Sequence, residues 1–184
     1  MDAEQVRSSK RVYQGRLIDL RVDQVETPNG LEAIREVIEH PGAVAVVPVD
    51  EHGQVILVQQ YRHAAGKVML EIPAGTLKVG EDPLEAVRRE LREETGFEAR
   101  HIVRIGGLYT APSFSTEYIH LYLATDLTPG PTAPDADEVI ELARMPLAEA
   151  INLIRAGSID DSKSVSALLL VNLIYTEQSA ARKT

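Results

Sequence analysis

The sequence predicts an α+β fold, an α/β/α sandwich around a mixed sheet, with an extra antiparallel β-sheet at the amino terminus. Three observations predict it. Strand-like and helix-like stretches are both present but do not alternate regularly, which argues against a doubly wound parallel sheet. One helix, at 83–95, carries its own start and stop chemistry. With 184 residues, 44% hydrophobic and 26% charged, the chain has the size and mix of one globular domain with a real core.

In chain order, residues 11–25 (RVYQGRLIDLRVDQV) and 32–39 (EAIREVIE) alternate crudely between apolar and polar positions around the turn signal TPNG, and read as an antiparallel hairpin. AVAVVPV (43–49) and QVILVQQY (54–61), separated by DEHG, read as a second hairpin whose first strand is the more buried. VMLEI (68–72), IVRIGGLYT (102–110) and YIHLYLAT (118–125) supply further strands, and VIELARM, from residue 139, is strand-like. Helices fit best at 83–95, at 146–156 before Gly157, and at about 162–177. LTPGPTAPDADE (127–138) is a Pro-rich acidic loop. Residues 1–40 are therefore read as an amino-terminal β-hairpin region, 41–178 as the main domain and 179–184 as a disordered tail.

The helix at 83–95 is set by local chemistry. Asp82 can cap it, Pro83 suits its first position, Glu85 sits where a capping-box acid belongs, and Gly96 can take the left-handed conformation that ends it. At roughly 100° per residue, Leu84, Val87 and Leu91 form a stripe able to bury, while Glu90, Glu93 and Glu94 gather on a second stripe about a quarter turn or more away. Arg89 lies beyond that stripe, placed to orient one of the acids by an ion pair. Each like-charged pair at helical spacing costs about a few tenths of a kcal/mol, so the crowd calls for a compensating cation. Hard divalent ions take oxygen ligands and are shared between carboxylates and a substrate phosphate. The plainer reading is a solvated acidic face on a helix that also carries Arg88 and Arg92.

Charge and composition exclude several classes. A net charge of −9 and a pI near 5.1 argue against non-specific binding to nucleic acid or an acidic membrane surface, and leave a small phosphate ligand open. The absence of cysteine removes disulfides, thiolate metal sites and a cysteine nucleophile. The start MDAEQVRSSK has no apolar leader core, and ALLLV with its neighbours is too short to span a bilayer. No membrane partner is expected, and the cytoplasm is the expected location. The five histidines are scattered without ligand spacing.

A longer pattern bears on the acids. Gly75, five residues, Glu81, seven residues, Arg89-Glu90-Leu91, one residue, Glu93-Glu94, one residue, Gly96 and the apolar Phe97 together resemble the full signature of the Nudix hydrolase family. The resemblance implies a loop–helix–loop that binds divalent metal, and hydrolysis of a nucleoside diphosphate linked to another moiety. It also implies the family's α/β/α sandwich. The flanks EIPAGTL, VQQYRHAAG (58–66) and APSFSTE (111–117) are similar to those of bacterial ADP-ribose pyrophosphatases and related nucleotide-sugar hydrolases. ADP-ribose, cleaved to AMP and ribose 5-phosphate, is the implied substrate, with another nucleoside diphosphate sugar as the alternative.

Carried over position by position, the resemblance makes Glu90 and Glu94 direct ligands of Mg²⁺, with Mn²⁺ the other candidate ion. Glu93 would bind the metal or its water, and the backbone carbonyl of Ala74 would be a further ligand. Glu81 would lie near the metals or brace the loop. The related enzymes place their general base on a late loop, so Glu138 in DADEVIE (135–141) is expected in that role, with Asp137 second. Glu93 and Arg89 complete the catalytic set.

Arg62 can neutralise a phosphate with its planar fork, or be an ordinary surface arginine. Tyr61 can stack on adenine or pack in the core. Glu117, with Ser113, falls in a segment that approaches the terminal ribose in the relatives. In those relatives an extra amino-terminal sheet exchanges between two subunits and completes the neighbour's adenosine pocket, so a homodimer is expected; the alternative is a hairpin covering its own sheet edge. Readings of other classes are a nucleotide-sensing domain that does not cleave, against which the intact Glu90, Glu93 and Glu94 speak, and a purely structural acidic domain. RNA decapping would want a basic track that the chain lacks.

Overall fold

The computed structural model describes residues 2–131 and 139–181. These fall into two compact units: residues up to Gly42 with Tyr109–Tyr118, and Ala43–Leu108 with the described residues from Ile119 onward.

The first unit carries a three-stranded antiparallel sheet, β1 (Gln5–Gln14), β2 (Asp19–Glu26) and β3 (Glu32–Glu39), in that order. Residues 11–25, expected as one strand, therefore belong to two, and the expected hairpin gains a strand. The break falls at Gly15, whose N–H donates to the Ile18 carbonyl at 3.0 Å. A Cβ at Gly15 would lie 2.7 Å from that same oxygen and from the Tyr13 ring, so the chain turns where no side chain intervenes. The TPNG turn forms as read: Gly30 takes φ 79° and Thr27 N–H donates to Leu31 O. β1 is exposed at every position, and its register against β2 slips between Val6 and Ser8 and again between Arg11 and Tyr13. Arg21 on β2 pairs along its own strand with Asp23 and across to Glu39 of β3.

The second unit holds β4 (Ala43–Pro48), β5 (Gln54–Arg62), β6 (Lys67–Glu71), β7 (Ala74–Thr76), α1 (Pro83–Thr95), β8 (Phe97–Tyr109, its last residue belonging to the first unit), β9 (Tyr118–Pro129, its first residue belonging to the first unit), β10 (Ile140–Pro146), α2 (Leu147–Arg155) and α3 (Ser162–Ala181). Two sheets form, ordered β7-β4-β9-β8 and β10-β5-β6. The first is mixed, with β4 parallel to β9 and antiparallel to β7. β4 is buried at every position because helices cover both its faces. Val44 and Val46 pack with Ile56, Ala86, Val87 and Leu91 on the α1 side. Ala45 and Val47 pack with Leu57, Leu121, Leu168 and Val171 on the α2 and α3 side. This is the helix–sheet–helix layering that the sequence predicts.

Three expectations need correcting. β4 and β5 are not a hairpin: the DEHG turn closes, but only the single bridge Val49–Val55 joins the strands. Both edges of β4 are taken by β7 and β9, and both edges of β5 by β10 and β6, so neither has hydrogen-bonding groups left for the other. The last helix runs beyond 177 and includes 179–181, which the sequence reading gave to a disordered tail. Leu84, expected in the buried stripe of α1, is 36% exposed, and Ala86 is buried instead. Among the described residues no helix is long and apolar enough to cross a membrane.

Candidate active site

The loop into α1 and the helix itself are built from their own residues. Gly80 takes φ 76°, and Lys78 and Glu81 close a tight turn in which Lys78 N–H donates to Glu81 Oε2 at 2.9 Å and Glu81 N–H to Lys78 O at 3.0 Å. Asp82 accepts from the amides of Leu84 and Glu85, Pro83 follows, and Gly96 closes the helix at φ 70°. Donors left over at the helix start are thereby satisfied.

The phase of α1 is what makes a site. At roughly 100° per residue, Ala86, Glu90, Glu94, Val87 and Leu91 fall in succession within an arc of about 140°, and all five are buried. Glu90 and Glu94 therefore stand inside the core-facing arc, one turn apart, rather than on the separate stripe read from the sequence. Carboxylates so placed need partners. Glu94 Oε2 accepts from the Ala74 amide at 3.0 Å. Glu90 lies against Gly75: a Cβ there would come within 2.0 Å of its carboxylate. β7 holds both Ala74 and Gly75 through its pairing with Ala45 and Val44 of β4.

Arg89 binds the remaining acids together. Its Nε and Nη2 meet Glu81 at 2.9 and 3.0 Å as a two-pronged pair, while Nη1 donates to Glu90 and, at 3.0 Å, to Glu93. The bond from Glu81 raises the Arg89 pKa above its ordinary value against the opposing effect of burial. In return Arg89, helped by the Lys78 amide, lowers Glu81 to about 2. The sequence reading gave Arg89 one acid to orient; it holds three. It also left Glu81 between metal and brace; here Glu81 bonds both the Lys78 amide and Arg89. A cavity of about 450 Å³ borders Arg89 and Glu81 and is lined also by Glu85, Arg88 and Arg92; it opens on the exposed side of α1, and neither Ala74 nor Glu94 lines it.

The other predicted residues are not gathered here. Arg62 spends its fork on Glu71, with contacts of 3.1, 3.2 and 2.7 Å. Tyr61 is exposed rather than packed in the core. Glu117 belongs to the first unit, where it accepts from Thr110 Oγ1 at 2.7 Å and faces His40 Nε2 at 3.7 Å. Glu138 and Asp137 lie outside the described residues. Among the described residues no three acidic or imidazole side chains converge as a ready metal cage. Sequence reasoning missed Glu71, which is 2% exposed; the one signal was a lone acid in the otherwise apolar strand VMLEI.

Comparison with known proteins identifies the framework. The NUDIX domain family matches residues 39–168. The chain belongs to the Nudix family. A second family, described as the nucleoside diphosphate sugar hydrolase N-terminal domain, matches residues 4–38 of this Nudix chain. The ADP-ribose pyrophosphatase of Bacillus subtilis (strain 168) is 37% identical over 172 residues, covering 92% of this chain and 93% of the relative. The methanol dehydrogenase activator of Bacillus methanolicus is 40% identical over 172 residues, with coverage of 92% and 93%. A crystal structure of an ADP compounds hydrolase superposes with a TM-score of 0.86 at 28% identity, over 97% of both chains. The family resemblance read from residues 75–97 is borne out, and with it the α+β fold. Nudix hydrolases generally need a divalent metal.

Two outcomes follow from this geometry. In Gly75→Ala the new methyl displaces the Glu90 carboxylate, the far end of a flexible side chain, so the melting temperature should change little. The variant tests whether Glu90 is a metal ligand: on that reading, divalent-ion affinity measured by titration calorimetry falls roughly ten- to a hundredfold, the scale for misorienting a ligand, and an unchanged affinity removes Glu90 from the ligand set. Because the Glu81 pKa is depressed to about 2 from 4.5, its contribution to stability is present above the ordinary carboxylate range and lost as pH falls through about 2. Urea titrations of the unsubstituted chain and Glu81→Gln should therefore differ most near neutral pH and converge in strong acid.

Proposed function

We propose that this Nudix chain hydrolyses the diphosphate bond of ADP-ribose, releasing AMP and ribose 5-phosphate. The observation that carries the reading is the pair of buried carboxylates, Glu90 and Glu94, set one turn apart against Gly75 and Ala74. Relatives named ADP-ribose pyrophosphatase support the choice of substrate. Another nucleoside diphosphate sugar is the second reading, favoured by the description of the family that matches residues 4–38.

The donor set suits a hard divalent ion, for which we propose Mg²⁺, with Mn²⁺ as the alternative. Glu90, Glu93, Glu94 and the Ala74 carbonyl offer only oxygen ligands, and Gly75 leaves the room that the Glu90 carboxylate needs. When bound, such an ion supplies positive charge against the diphosphate and makes a water molecule more acidic. Glu90 and Glu94 would hold it from the buried arc of α1. Arg89 keeps Glu93 and Glu90 oriented through its own hydrogen bonds. In the reaction the oxygen of water bonds to one phosphorus, the bridging P–O bond on that phosphorus breaks, and the leaving phosphate takes the bridging oxygen. Glu138 accepts the proton of the attacking water. Glu71 is shared by two cations, Arg62 and Lys163, and on this reading the positive charge left over beside Arg62 faces a phosphate, the exposed Tyr61 stacks on adenine, and Glu117 accepts from the terminal ribose. Residues 1–40 form the amino-terminal region that we propose is exchanged in a homodimer, in line with the separate family matched there.

Release of AMP from ADP-ribose should require Mg²⁺ or Mn²⁺ and should be nearly abolished in Glu94→Gln. Binding of ADP-ribose without AMP release by the unsubstituted chain would point to a sensor and sink the reading. Glu138→Gln should lower turnover about a hundredfold or more, as loss of a general base does, with ion affinity unchanged; a normal rate moves the role elsewhere. A panel of nucleotide sugars ranks the two substrate readings.

A further inference from the structure

The corner between β6 and β7, residues 71–75, is held at every step. Glu71 is almost fully buried and accepts from Arg62 on one side and from Lys163 Nζ, at 2.7 Å, on the other. Lys163 also donates to Asp161 at 2.9 Å, and Asp161 accepts from the Ser164 amide at 3.0 Å in the first turn of α3. The Ile72 amide donates to Ser164 Oγ at 2.9 Å, and Ser164 is fully buried. Pro73 O accepts from Val46 N–H at 2.9 Å, and the Ala74 amide donates to Glu94. Burial pushes the Glu71 carboxyl up, and its Arg62 and Lys163 partners outweigh that and hold it below the ordinary value.

A buried cluster of charges is weak as a source of stability, because desolvation offsets most of the attraction and an apolar set of the same shape does as well. What it does supply is a fixed direction for the groups that it holds. Two consecutive residues of α3 grip two consecutive residues of the corner, one by its ammonium and one by its hydroxyl. Beyond Pro73 the chain reaches Ala74 and Gly75, against which Glu94 and Glu90 rest.

We propose that Lys163 and Ser164 are positioning residues for the divalent ion: through the Glu71 carboxylate and the Ile72 amide they fix the corner that presents the Ala74 carbonyl and leaves space for Glu90. The proposal rests on the metal reading given above. Lys163 and Ser164 touch neither substrate nor ion; they act through the backbone of residues 71–75. The first turn of α3 is thereby part of the ion site, although it is distant in sequence from residues 75–97.

The test is a Mg²⁺ titration of the full chain by calorimetry, at a temperature well below the unfolding transition, for Ser164→Ala, Lys163→Met and Lys163→Arg. Ser164→Ala and Lys163→Met should each weaken Mg²⁺ binding roughly tenfold or more, the usual scale for losing a partner behind a ligand. Lys163→Arg should keep affinity close to that of the unsubstituted chain. The thermal shift caused by saturating Mg²⁺ should shrink in parallel. Should Lys163→Met fail to fold, Ser164→Ala alone decides. Variants that lose melting temperature yet bind Mg²⁺ as tightly as the unsubstituted chain would show a merely structural cluster and overturn this proposal alone. No Mg²⁺ binding by the unsubstituted chain would overturn the metal reading together with it.

Discussion

The guanidinium of Arg89 is the interaction on which the site depends. Within fourteen positions the chain places Glu81, Glu85, Glu90, Glu93 and Glu94, and helical geometry brings three of them onto neighbouring turns, where they repel. Arg89 turns that repulsion into a frame. Its planar fork reaches Glu81 in the preceding loop and Glu90 and Glu93 along the helix, so one rigid group ties the loop to the helix and spaces the acids. A lysine carries the same charge but lacks the fork geometry to hold three carboxylates in fixed directions. The loop turn at Lys78–Glu81 and the placing of Glu90 and Glu93 are all reached from this one side chain.

The frame matters because the acids it spaces are next to the core. Glu90 and Glu94 lie between Ala86 and Leu91 on a helix face that packs against Val44 and Val46. Packing fixes the helix rotation, and the rotation aims the carboxylates at β7. There the backbone receives them: the Ala74 amide takes Glu94, and Gly75 makes way for Glu90. Stability and chemistry are coupled at this point, since the contacts that seat α1 on the sheet also set the direction of its charged groups.

What the sequence reveals divides along the line between local and non-local causes. The ends of α1 are legible because Asp82, Pro83 and Gly96 act on backbone groups within a few residues. The helix–sheet–helix layering is legible because β4 is apolar at nearly every position and must be covered on both faces. The separation of β4 from β5 is not legible: two apolar strands joined by a tight turn look like a hairpin, and strands distant in sequence decide otherwise. The partner of Arg62 is hidden for the same reason, because Glu71 gains its importance only when Lys163 arrives from α3. The rotation of α1 is not legible either: helical periodicity gives the stripes but not which of them meets the sheet, and Ala86 rather than Leu84 faces inward. The resemblance over residues 75–97, by contrast, is legible because the spacing of its glycines, arginine and acids is itself the signal, and the family match over residues 39–168 agrees with it.

The outermost strand of the amino-terminal sheet has a consequence of another kind. β1 is a ten-residue ribbon open to solvent, and a long, regular edge of that sort recruits further strands without limit. Its two slips in register and its cations Arg7, Lys10 and Arg11 make it a poor template for such growth. The polymerisation hazard of an uncovered ladder is thus curbed by irregularity written into the ribbon itself.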